Sequence, residues 1–255
     1  MKSASASYYF DLLSALTLKE LKAKYKSTTL GFLWAFLNPL LQMIILSVVF
    51  SFFLRIQVEN YPIFLFAGLL PWMFLNLSLT SGTATLVDNR DLLKKMVFPK
   101  EFLPLAAISA NLVNFAASLV IFLLILAILG FVGPQLIFLP VAVILQLILT
   151  LGIVFLASSL NIVFRDVFYL VQAGLILWFY LTPIFYPLSF VPERFLNLYS
   201  VNPMVGIVGL YQYSVLGQSF PPIAAVVNSL VISLVILTTG FLVFEARKPN
   251  FADWV

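Results

Sequence analysis

The sequence predicts an all-α integral membrane protein: six transmembrane helices, preceded by an amphipathic helix and carrying a helical hairpin, re-entrant or external, between spans five and six. Three observations carry this. Apolar residues make up 62% and charged residues 9% of the 255, against roughly a quarter charged in soluble domains. The apolar residues fall in charge-free runs that reach the ~20 helical residues needed to cross a ~30 Å hydrocarbon core. The charges are also uneven. Of 14 Lys and Arg and 10 Asp and Glu, 14 sit in two stretches: Lys2, Asp11, Lys19, Glu20, Lys22, Lys24 and Lys26 at the start, and Asp88, Arg90, Asp91, Lys94, Lys95, Lys100 and Glu101 between Thr83 and Pro104. Those two stretches are where a membrane-embedded body meets soluble surroundings.

Residues 1–29 form the first unit. Between Tyr8 and Lys26, Phe10, Leu13, Leu18, Leu21 and Tyr25 fall on one helical arc and Lys19, Lys22 and Lys26 on the opposite one, the pattern of a helix lying in the membrane interface. Lys24 falls near the apolar arc and is expected to snorkel to the headgroups. The same lysines also serve to fix orientation and attract anionic lipid. Asp11, Ser14 and Thr17 interrupt the apolar run, so the segment is a poor secretory signal and is expected to remain on the protein.

Residues 30–255 form a single transmembrane domain. Its spans lie at 30–54, 61–82, 104–129, 136–162, 167–184 and 223–244, with Gly130, Gly133 and Pro134 turning the chain between the third and fourth. A polar loop occupies 83–103 and an external hairpin 185–220. Within the hairpin, Asn202 before Pro203 is a helix start, and Gly217 before Pro221 and Pro222 is a helix stop. The helix they bracket is too short to cross a bilayer. It either caps the bundle or gates the exit of a pathway.

With the N-terminus inside, the cytoplasmic face collects the five N-terminal lysines, the four cations of the 83–103 loop, Arg165, Arg247 and Lys248, and leaves only Arg55 and Arg194 outside. That is the bias expected of retained positive charge, so both termini are expected in the cytoplasm. Catalysis is not expected. The chain has no His and no Cys, which removes the usual bases, nucleophiles and metal ligands, and no G-x-x-x-x-G-K-[ST] phosphate loop. No Asp, Glu, Lys, Arg or His falls within a span, so nothing at depth couples transport to protons or ions. Energy for uphill transport must therefore come from outside the bilayer. Asp88 to Glu101 is helix-compatible up to Pro99 and carries Leu92, Leu93, Met96 and Val97 among its charges. It is either a docking helix for a partner's groove or a loop tucked against its own bundle.

LKAKYKSTTLGFLWAFLNPLLQ from Leu21, GLLPWMFLNLSL from Gly68, FPKEFLPLA from Phe98, NIVFRDV from Asn161, PIFYP from Pro183 and NPM from Asn202 resemble, in order, the membrane subunits of polysaccharide ABC exporters of the ABC-2 family. Lys24 and Thr28 stand where arginine and serine are expected in that family. The resemblance implies a bacterial inner-membrane permease that forms a homodimer and pairs with two ATP-binding cassette subunits. Mg-ATP would be held there, with no cofactor in this chain. Its cargo would be an undecaprenyl-linked polysaccharide such as O-antigen, passed between the two copies among membrane lipids, with no nucleic-acid partner. The alternatives are teichoic acid, or a drug or lipid carried by a related permease. The resemblance further implies that Lys19, Lys22, Lys24, Tyr25 and Lys26 belong to an interface helix. Asp88, Arg90, Asp91, Leu92, Lys94, Lys95, Met96 and Lys100 would form a coupling element in a cleft of the ATPase, and Arg165 and Asp166 a second contact.

Aromatic residues number 26 Phe, 10 Tyr and 4 Trp, more than two interfacial belts require. Aromatic faces stack on sugar C–H faces without demanding one sequence. Phe36, Trp72, Phe74, Trp178, Phe179, Tyr180, Phe185, Tyr186, Tyr211 and Tyr213 are therefore candidate linings of a glycan path, against the alternative that each packs internally or faces lipid. No G-x-x-x-G pair occurs, and Ala106 with Ala110 offers one close-packing site for a second copy.

Overall fold

The computed structural model describes residues 6–26, 28–53, 58–96 and 98–255. Lys2, Arg55 and Val97 lie outside the described residues. Among these residues the regular structure is helical throughout. The elements are α1 (Ala6–Tyr25), α2 (Trp34–Ser47), α3 (Tyr61–Asp88), α4 (Arg90–Lys95), α5 (Phe102–Ile128), α6 (Leu139–Asn161), α7 (Asp166–Tyr180), α8 (Glu193–Val201), α9 (Pro203–Leu216), α10 (Ile223–Arg247) and α11 (Phe251–Trp254). Short 3₁₀ turns lead into α2 and α6, and a π-helical segment, Val48–Phe53, continues α2.

α3 is the hub. It is buried along most of its length and contacts α2, α5, α6, α7 and α9, as expected of a helix apolar all round. α2 is the opposite case: Pro39 is its one buried residue among those described. Five helical stretches among the described residues are long and apolar enough to cross a membrane: Gly31–Ser51, Tyr61–Asp88, Phe102–Ile128, Pro134–Asn161 and Ile223–Trp254. The fifth predicted span is shorter than expected. α7 has 15 residues, about 22 Å of helix, and stops at Tyr180 because Thr182 and Pro183 break it four residues before the expected boundary. The predicted 83–103 loop is mostly helical: α3 runs on to Asp88, and α4 follows after Asn89.

The hairpin helix starts and stops where its breakers predict. Asn202 Oδ1 accepts from Met204 N at 3.0 Å, and Gly217 closes α9 in the left-handed region at φ 66°. α9 does not lie on the surface. It is buried against α3, α6 and α10, and Tyr211 Oη donates to Gln146 Oε1 at 2.6 Å while Gln146 Nε2 donates to Pro71 O at 2.6 Å. These bonds join α9, α6 and α3 in one polar pin. α10 meets α6 closely through Gly152 and Gly240. Ala106 and Ala110 are buried inside the chain, Ala110 facing Ala23 and Leu77 of α1 and α3, so this pair is not available to a second copy.

Candidate coupling platform and aromatic surface

Most of the charged residues converge at the end of the bundle that holds Asp88, α4, the start of α5 and α11. A second hydrophobic cluster, separate from the main core, underlies this end: Leu86, Leu93, Leu103, Phe155, Ile162, Phe244 and Phe251, with Leu16 and Leu92 packed against it. α4 is thus amphipathic in three dimensions. Leu93 is buried in this cluster, Leu92 is half-buried, and Arg90, Asp91, Lys94, Lys95 and Met96 face outward. One side chain is thus tucked inward, and a charged strip with an exposed methionine remains outside.

Three sets of contacts fix α4. Asn89, buried at the α3–α4 junction, donates to Thr85 O at 2.9 Å and accepts from the Lys19 ammonium of α1. Lys248 lies 2.8 Å from Glu101 and 3.1 Å from Glu245, while its carbonyl accepts from Lys100 Nζ at 3.0 Å. Phe251 packs on Phe244 with ring centroids 5.1 Å apart, and Lys100 sits over its ring at 5.9 Å. The chain after α10 therefore braces the α4–α5 connection, a contact no local sequence pattern announces. Arg165 and Asp166 lie at the same end, both exposed, and Arg165 is close enough to Asp88 for their charges to interact. Asn161 fixes that corner, donating to Thr83 O at 3.1 Å and accepting from Phe168 N at 3.1 Å.

α1 packs along α5, and its apolar arc divides. Leu13, Leu16, Leu21 and Tyr25 turn toward the bundle, whereas Phe10 (71% exposed) and Leu18 (54%) point away. Lys22 and Lys26 are exposed. Lys24 is exposed, and its ammonium donates to Asn111 Oδ1 at 3.1 Å, a partner supplied by α5 and invisible in α1 alone.

Of the ten candidate aromatic residues, Trp72, Phe74 and Tyr211 are core rings, spent on internal packing. Six of the ten form one connected group at the opposite end of the bundle. Trp72 meets Trp178 at 6.1 Å and Phe179 at 5.5 Å, Phe179 meets Tyr180 at 5.4 Å and Phe185 at 5.6 Å, and Phe185 meets Tyr186 at 4.9 Å. From this buried root the rings grade outward to Tyr180, 61% exposed. The hairpin locks onto them: Asn202 Oδ1 accepts from Trp178 Nε1 at 2.7 Å, and the Tyr186 and Tyr199 hydroxyls are 2.9 Å apart. Burial first, then this hydrogen bond to Tyr199, pushes the Tyr186 phenol well above its usual range. Phe36 packs on Phe66, and Tyr213 packs with Phe138 and Phe220, both away from the group. The residues sequence reading missed are uncharged: Asn89, Asn111, Asn161, Gln146 and the multiple bonds of Asn202. Their signal was available, because an amide inside an apolar helix needs a partner there.

Long apolar helices around a buried hub, with a polar platform at one end, define a multi-pass membrane protein. Residues 11–216 match the ABC-2 type transporter family. Over 252 residues the chain is 36% identical to the O-antigen export system permease protein of Myxococcus xanthus, covering 96% of this chain and 95% of that protein. It is 34% identical over 254 residues to the O-antigen export system permease protein of Klebsiella pneumoniae, with the same coverage of each chain. A polysialic acid transport protein of Escherichia coli is 23% identical over 247 residues, 92% of this chain and 93% of that one. The chain belongs to the ABC-2 type transporter family.

Proposed function

We propose that this protein is the permease subunit of an ATP-driven exporter that moves a lipid-linked, O-antigen-like polysaccharide across the inner membrane. The observation that carries the reading is the near full-length likeness to O-antigen export permeases. In this reading the termini are cytoplasmic, a choice supported by the bias of Lys and Arg toward the α1, α4 and α11 end. α7 with the residues up to 184 is the fifth of six crossings, and residues 1–29 and 30–255 act as interface helix and transmembrane domain. Two copies enclose the channel. Two ATP-binding subunits, which hold Mg-ATP, engage the exposed strip of α4 together with Lys100, Arg165 and Asp166. The hairpin over 185–220, tied to α7 by Asn202, couples movement of α7 to the exit. Trp178, Phe179, Tyr180, Phe185 and Tyr186 offer stacking faces to passing sugars.

Charge reversal tests the docking strip. Asp91→Lys with Lys94→Glu and Lys95→Glu should abolish co-purification with the ATP-binding subunit while the protein still inserts and runs as a monodisperse species in detergent. Retained co-purification would remove α4 from the interface. The aromatic surface has its own test. Tyr186→Ala or Trp178→Ala should lower surface glycan at least about fivefold, as expected from losing roughly 1 kcal/mol of stacking, at unchanged protein level. Wild-type export in both variants would reassign these rings to packing.

A further inference from the structure

A cavity of about 110 Å³ lies between α1, α2, α3 and α5, apart from both the aromatic group and the α4 platform. Lys24 and Tyr25 of α1, Trp34 and Asn38 of α2, and Asn114 and Ser118 of α5 supply its polar lining, and no carboxylate is part of it. Lys24, Trp34 and Leu77 are exposed and mark its mouth.

Two of these groups lack the partners their chemistry calls for. Lys24 has three N–H donors and uses one on Asn111 Oδ1. Asn111 is itself held, donating to Ser81 Oγ and to Ala107 O, each at 2.9 Å, so what faces the ammonium is a fixed neutral oxygen. Among the described residues no carboxylate lies within salt-bridge distance of Lys24. Burial of the ammonium lowers its pKa, the mark of a cation short of a counter-charge. Asn114 is 4% exposed, and neither its Oδ1 nor its Nδ2 has a hydrogen-bond partner among the described residues. Buried amides in native structures are rarely left so. Ser118, by contrast, is satisfied, donating to Ala35 O at 3.1 Å and Asn114 O at 3.0 Å.

Depth narrows the choice of ligand. α5 has 27 residues, about 40 Å of helix against a ~30 Å hydrocarbon core, and the surplus belongs at its charged end. Asn111 lies about 14 Å along α5, only about 4 Å past that surplus, which puts the Lys24 ammonium just beneath the headgroups. The volume is several times the ~10–15 Å³ that one water needs, so a phosphate fits. We propose that this cavity binds the phosphate of a membrane lipid, with Lys24 as its charge partner and the Asn114 amide as a hydrogen-bond donor. The proposal rests on the chain crossing a membrane and not on which cargo it exports. Two lipids carry this chemistry: an anionic phospholipid of the bilayer, or a polyprenyl phosphate of the kind that anchors the proposed cargo.

The test is thermal-shift titration of the full chain in detergent with dioleoyl phosphatidic acid, undecaprenyl phosphate, dioleoylglycerol and inorganic phosphate. At least one of the two lipid phosphates should raise the melting temperature saturably, and dioleoylglycerol should not. Lys24→Gln should weaken that response on the order of tenfold, and Arg194→Gln, on the exposed surface of α8, should leave it unchanged. Asn114→Asp keeps the shape but places a carboxylate near Lys24, so it should raise the ligand-free melting temperature while abolishing lipid binding, a pair of effects that a packing role alone does not produce. Should that variant fail to fold, Lys24→Gln decides alone. Tighter binding of undecaprenyl phosphate, by about tenfold or more, assigns the site to cargo, and comparable binding assigns it to the bilayer; both support it. An equal response to inorganic phosphate, a response to dioleoylglycerol, no response to either lipid phosphate, or unaltered binding in Lys24→Gln overturns it. No glycan is measured, so failure here is separate from failure of the export reading.

Discussion

Gly240→Val should collapse the amount of folded protein recovered from the membrane. A Cβ at position 240 would stand 2.2 Å from the carbonyl oxygen of Gly152, and one at 152 would stand 2.5 Å from Leu237 N. Both obstacles are backbone, so no rotamer change relieves them and the two helices must separate. α10 has few other footholds: its buried residues are Ala225, Ser229, Ser233, Gly240 and Phe244, a stripe of mostly small side chains that works only at close approach. The cost belongs at the upper end of overpacking, about 3 kcal/mol, roughly a hundredfold in the folding equilibrium. Size-exclusion chromatography of detergent-solubilised protein checks it, with Val235→Ala on the exposed face as the control. A monodisperse Gly240→Val protein at wild-type level would mean that the α6–α10 crossing tolerates separation.

Phe251→Ala should act differently, because it strikes the smaller cluster and leaves the main core intact. Phe251 is fully buried, and its loss is of the kind that costs about 3–5 kcal/mol in a core. That energy exceeds what a six-residue helix can hold by itself, so α4 should loosen while the spans stay folded. Amide exchange over residues 88–101 should accelerate with little change in α3 or α6. In the proposed transport complex, ATP hydrolysis should persist while glycan export falls about tenfold or more, and Phe251→Leu should restore much of it. If hydrolysis and export fell in parallel, or neither changed, Phe251 would not be bracing the coupling element.

The helices and their order were legible, because runs of about 20 uncharged residues admit few other structures in a chain this apolar. The α9 start and stop were legible too, since Asn202 and Gly217 carry local geometry in their residue types. What was not legible depends on distant partners. The hydrogen bond of Lys24 was hidden because α1 alone does not show Asn111, 87 positions further on. Leu93 and Leu92 looked equivalent until the cluster around Phe244 and Phe251 buried the first and only half-buried the second. Trp72, Phe74 and Tyr211 looked like path residues because aromaticity does not distinguish a ring that packs from one that waits for a ligand. The length of α7 fell short of its run because apolarity continues through Thr182 and Pro183 where the helix does not.

The cluster beneath α4 joins residues 86–103 to residues 244–251. It therefore cannot form on a growing chain until α10 has been threaded into the bilayer, long after α3 and α5 have arrived. In biosynthesis α4 would then emerge early but stay loose, becoming a firm surface only once the bundle around it is nearly complete. In the proposed complex, a half-made chain would thus offer an ATP-binding subunit nothing rigid to grip, and the order of synthesis itself would defer assembly until the barrier is in place.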